Sequence, residues 1–303
     1  MFDVAVICYL FLGGLSGGLC VVAAASALSI PVSYLRAGLA LEQRRLLGAS
    51  FVACAGGLLL SALFLMADAG NVAALKYLVL TPNPGYLVLG AWSIAAGILL
   101  SLALAIRWRS PEPARGVLFM RALLVLEALI GAVVVVYTGL FLASMFAVPL
   151  WNTPWLVALF AASASSCALS AFVALCNALG LSAAFSAWMR RLVQLDGAIL
   201  LIEAVCAVGF VFVALQTDTG SAVVAQASAA RLLSGDLSAA WWVGFTLLGI
   251  AVPLAFDLAL LRSQHTLAPY SLKALAPALF AFVGGFCLRY CVVMAGMHPV
   301  VGF

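Results

Sequence analysis

Glu127, Glu203, Asp257 and Arg289 stand inside long apolar runs, and Asp68 stands at the end of another. An ionisable group in such a run is costly, so each marks either chemistry or a partner. Carboxyls so placed can bind and release protons, and a guanidinium can hold a carboxylate ionised or donate to a carbonyl oxygen. The competing reading of each is an interhelical hydrogen bond or ion pair that only holds the structure. Tyr9 belongs with them because it precedes Gly13 by four residues, one helical turn. A glycine beside an aromatic ring opens a slot that admits either a flat ligand or a neighbouring helix.

Other chemistries lack their residues. The two histidines, His265 in a loop and His298 near the C-terminus, do not form a pair at one membrane depth, which a b-type haem would need. The eight cysteines are scattered singly, without CxxC spacing, and read as small buried apolar residues. There is no phosphate-binding loop, dinucleotide fingerprint or nucleophile elbow in the sequence, which argues against ATP-driven transport and hydrolysis.

The elements that must position these residues follow from composition. Of 303 residues 67% are hydrophobic and 8% charged, and the mean hydropathy is +1.24, far from the range of a water-soluble domain. A spanning helix needs about 20 mostly apolar residues. Eight stretches qualify, near 4–30, 46–67, 86–106, 118–146, 154–179, 195–215, 240–261 and 275–297. Such continuous apolar runs suit helices rather than the alternating strands of an outer-membrane barrel. The reading is an all-α, polytopic membrane bundle over 1–303 as one domain, arranged as two four-helix bundles. The first stretch ends in AAASA at 23–27, yet it lacks a basic leading region and runs too long for a signal peptide, so it is read as a retained helix.

Alternate connections carry the basic residues. Arg36, Arg44, Arg45, Arg107, Arg109, Arg115, Arg121, Arg190, Arg191, Arg262 and Lys273 fall on one side, against Lys76 and Arg231 on the other. The positive-inside rule makes the first side cytoplasmic and places both termini outside. Topology thus accounts for the net charge of +4 without a nucleic-acid partner. Two outer connections, 68–85 and 216–239, are long enough to dock a partner or simply to cap the helices. VLEALIGAVVV at 125–135 and LIEAVCAVGFV at 201–211 share a weak likeness that would give each half-bundle one acid. GGLSGG at 13–18, AGG at 55–57 and GG at 284–285 mark close helix approaches.

Four segments together resemble the NrfD or polysulfide-reductase membrane-subunit family of complex iron–sulfur molybdoenzymes. They are YLFLGGLSGG at 9–18, LFLMADAGN at 63–71 with the following NPG, YTGLFLASMFAVPLWNTP at 137–154, and GGFCLRYCVVMAG at 284–296. The resemblance implies a haem-free, quinone- or menaquinone-reactive anchor in a bacterial or archaeal inner membrane, with no haem or iron–sulfur cluster in this chain. It implies two partners: a four-cluster ferredoxin-like iron–sulfur subunit on the outer face, and a molybdopterin catalytic subunit beyond it. By motif it assigns Tyr9, Asp68, Tyr137 and Arg289 to the quinone site. Gly13, Trp151 and Asn152 join them as pocket residues, Asn152 or Thr153 being equally suited to cap the fifth span. Glu127, Glu203 and Asp257 become candidates for a proton path. The alternative is a secondary transporter or proton-conducting protein that uses the same three acids, in which polar groups would gather at the midplane.

Overall fold

The computed structural model describes residues 4–33, 40–69, 85–109, 116–216, 222–262 and 272–297. These residues are helical throughout their long elements, with no strand among them. The spans are α1 (Val4–Leu28), α2 (Leu41–Ala69), α3 (Tyr86–Arg109), α4 (Val117–Ala143), α5 (Pro154–Ala178) and α6 (Ser186–Gln216). After them come a short α7 (Ala222–Leu233), then α8 (Ala240–Arg262) and α9 (Leu272–Gly296). Among the described residues, eight helices are long and apolar enough to cross a membrane; α7 is too short.

Helices α1 to α4 form one bundle and α5, α6, α8 and α9 the other, joined where α1 and α4 pack on α5 and α1 reaches α9. The packing inverts the soluble pattern. Leu99, Ile106, Leu118 and Val208 point outward, whereas Ser16, Ser61, Ser101, Ser163 and Glu203 are buried between helices. Lipid is as apolar as leucine, so association relies on close packing and interhelical hydrogen bonds instead of water exclusion.

Two elements differ from the sequence reading. Connection 216–239 contains α7, whose Ala225, Ser228, Ala229 and Leu232 form a buried face at helical spacing. Arg231 anchors it. Its guanidinium donates to the carbonyls of Met294 and Met297 at 2.9 and 3.1 Å, capping the end of α9, and pairs with Asp236 at 2.7 Å. That hydrogen bond, with the adjoining positive charge, holds Asp236 below the usual carboxylate range. In α8 the first half, Ala240–Ala251, is a π-helix. Its last donor, Val252 N, reaches back five residues to Leu247 O, immediately before Pro253, which has no N–H to continue the ladder.

The α8–α9 crossing is held by Gly249 against Gly284. A Cβ on Gly284 would overlap the backbone of Gly249, whereas a Cβ on Gly56 meets nothing within 4 Å. Gly284→Ala is therefore expected to destabilise by about 1–3 kcal/mol through overpacking. Gly56→Ala should be neutral or stabilising, because alanine is the better helix former. Thermal unfolding of the two variants in detergent separates them; equal midpoints would show that the crossing tolerates a methyl group.

Candidate functional site

Helix directions define two ends of the molecule. The start of α1, the end of α4, the 144–153 connection and the end of α9 share one end, and the starts of α2, α4 and α6 share the other. Tyr9 and Tyr137 sit toward the first end. The Tyr9 hydroxyl donates to that of Tyr137 at 2.8 Å, and both residues are 1% exposed. The Tyr137 ring lies over Gly90 of α3, where any side chain would strike it, and is tilted against Phe141. Ser61 of α2 donates to the Tyr9 carbonyl at 3.1 Å and stands where a Gly13 side chain would point. Gly13 therefore serves the α1–α2 approach; the slot beside Tyr9 is filled by Ser61.

Arg289 of α9 is fully buried one turn deeper along α1. Its Nε donates to the Leu10 carbonyl at 3.3 Å, and Nη1 to Gly285 O at 2.7 Å and Ser163 Oγ at 3.4 Å. The guanidinium lies 5.7 Å from the Phe11 ring and 5.2 Å from that of Phe160. A Cβ at Gly14 would come within 3.0 Å of Nη2, so glycine makes room for the fork. Nη2 has no hydrogen-bond partner among the described residues, which leaves one cationic donor for a carbonyl or carboxylate.

Below Arg289, polar groups line the second bundle. Ser163 also lies beside Glu203 of α6. Ser166 and Ser170 continue the same face of α5, at spacings of three and four residues, and Asp196 lies seven residues before Glu203 on α6. Ser170 donates to Asp196 Oδ2 at 2.7 Å. Asp196 and Asp257 both line a cavity of about 10 Å³, with Ser170, Leu260 and Pro277. Asp196 Oδ1 and Asp257 Oδ2 have no partner among the described residues.

Residues 1–300 match the protein family described as polysulphide reductase, NrfD. The chain belongs to the NrfD family. Two curated relatives are similar to it: the C subunit of polysulfide reductase from Wolinella succinogenes and the protein NrfD homolog of Haemophilus influenzae. The first is 30% identical over 160 residues, 53% of this chain and 49% of that protein. The second is 30% identical over 178 residues, 59% of this chain and 52% of that protein. The chain thus spans about half the length of the curated relatives it matches. Family and helices together make it a multi-pass integral membrane protein.

Within this NrfD protein the structure separates the residues picked out from sequence. Tyr9 and Tyr137 are in contact, with Arg289 beside the same turns of α1. Asp68 stands in the last turn of α2, and its side chain lies outside the described residues, as do His265 and His298. Trp151 is buried, donating from Nε1 to Val292 O at 2.9 Å, so it ties the 144–153 connection to α9. Asn152 is exposed, and Thr153 is the helix cap, its hydroxyl accepting from Trp155 N at 3.4 Å ahead of Pro154. Glu127 belongs to the first bundle, where Ser101 donates to it at 2.5 Å, apart from Glu203 and Asp257. Asp196 was missed because Arg190, Arg191 and Gln194 shorten the apolar run before it; its spacing of seven residues from Glu203 is the signal that would have found it.

Proposed function

We propose that this protein is the haem-free membrane anchor and quinone-binding subunit of a respiratory iron–sulfur enzyme complex. It exchanges electrons between membrane quinol and a docked iron–sulfur subunit at the tyrosine end, which is the outer face. The observation that carries this reading is the buried Tyr9–Tyr137 pair beside Arg289, whose Nη2 is free to donate. Two phenols and a guanidinium supply hydrogen bonds to quinone carbonyls and a route for quinol protons. The ferredoxin-like subunit and a molybdopterin enzyme are the partners that the family resemblance implies, at the end formed by the 144–153 connection and α7.

The polar line from Arg289 to Asp257 supports a second part of the reading, proton transfer linked to quinone chemistry. Ser163 to Ser170 covers about 10 Å along α5, and the acids of α6 and α8 lie beside it, leading away from the tyrosines. A secondary transporter would gather its polar groups at the midplane alone; here the serines and acids continue from Arg289 and a tyrosine pair that stands toward one end of the bundle. Glu127, in the other bundle, stands outside this path.

The test is quinol-driven reduction of the clusters in the purified complex. Tyr137→Phe keeps the ring over Gly90 and removes the hydroxyl, and is expected to slow reduction about five- to tenfold, the rate equivalent of one lost neutral hydrogen bond of about 1–1.5 kcal/mol. Asp68→Asn is expected to slow it as well. Unchanged rates in both variants, with the complex assembled, would sink the tyrosine-end quinone site.

A further inference from the structure

At the opposite end of the first bundle, a pocket of about 520 Å³ opens between the start of α2, the end of α3 and Leu179 at the end of α5. Its rim carries Arg44, Arg45 and Arg109, and no acid lines it among the described residues. Its walls are apolar: Leu41, Ala49, Val52 and Ala53. The outward exposure of Leu41 and Val52 leads the pocket toward the hydrocarbon.

Two N–H groups packed at its base have no partner of their own among the described residues. Trp108 lines the pocket and is 1% exposed, yet its Nε1 has no hydrogen-bond partner among the described residues. The Nε of Arg44 is likewise buried and unpartnered, although its Nη2 donates to the Arg109 carbonyl and caps α3. Gly48 keeps the floor open, since a Cβ there would meet nothing nearer than Trp108 Cβ at 3.9 Å. Three arginines above an apolar cleft, between helices at the basic end of a bundle, match an anionic headgroup with its acyl chains.

We propose that this pocket binds an anionic phospholipid. The phosphate sits on Arg44, Arg45 and Arg109, and the acyl chains run along Leu41 and Val52. The site lies away from the tyrosine pair and stands independently of the quinone reading.

The test uses the purified full chain in detergent, titrated with phosphatidylglycerol, phosphatidylcholine or inorganic phosphate while thermal unfolding is followed. Phosphatidylglycerol is expected to raise the midpoint at concentrations where the other two do not. Arg45→Gln and Arg109→Gln each remove one cation without touching the Arg44 cap, and each should raise the half-saturating lipid concentration about fivefold. Arg191→Gln, an exposed arginine outside the pocket, should leave it unchanged. Native mass spectrometry of the wild type gives a reading independent of the variants: phosphatidylglycerol should be retained over phosphatidylcholine. Equal responses to the two lipids, an equal response to inorganic phosphate, or full lipid response in both pocket variants would overturn the site.

Discussion

Arg289→Leu is expected to cut quinol-driven cluster reduction about ten- to a hundredfold, the largest functional loss of any single substitution in this protein. A hydrogen bond to a charged group contributes about 1.5–3 kcal/mol, which is that range when lost from a transition state. Leucine keeps an apolar body between Phe11 and Phe160 but removes the donors to Leu10 O and Ser163 Oγ. It also removes the cation that acts on Glu203.

The conservative variant separates function from folding. Lysine keeps the charge and can still reach one acceptor, but it lacks the planar fork that serves Leu10, Ser163 and Gly285 together and leaves Nη2 over. Arg289→Lys should therefore assemble like the wild type while its quinol KM rises. A structural role alone predicts that both variants lose assembly in proportion to activity, with the KM of the remaining complex unchanged. Size-exclusion recovery beside steady-state kinetics distinguishes the two.

Much of the architecture was legible because the solvent imposes it. Hydrocarbon thickness fixes span length, and each of the eight apolar runs became a helix within a few residues of its expected bounds, except α6, which starts at Ser186 instead of 195. There Arg190, Arg191 and Gln194 interrupt the hydropathy, although the helix continues through them. Helix α7 was hidden for a different reason: its buried face is built of Ala225, Ser228 and Ala229, too small to register as apolar periodicity. Helix ends were readable where local chemistry decides them, as at Thr153–Pro154. Side-chain pairings were not, because they depend on which helices meet. The Tyr9–Tyr137 contact joins residues 128 apart in sequence. Gly13 was read beside Tyr9 on its own helix, whereas the group that fills its space, Ser61, comes from α2.

The same dependence on tertiary contact makes Asp196, unnoticed in the sequence, the sharpest test of proton coupling. Asp196→Asn preserves shape and still accepts from Ser170 through its amide oxygen, but it cannot take up or release a proton. Asp196 lies between Glu203, one step toward Arg289, and Asp257 across the small cavity. If protons pass along this line, the complex reconstituted in liposomes should lose proton translocation in Asp196→Asn while quinol-driven electron transfer stays within about threefold of wild type, less than one hydrogen bond is worth. Glu127→Gln, in the other bundle, should leave the proton-to-electron ratio unchanged. A pH-sensitive dye outside or inside the vesicles reads both. An unaltered ratio in Asp196→Asn, or its loss in Glu127→Gln alone, would move the path out of the second bundle and leave the buried acids of α6 and α8 as interhelical ties.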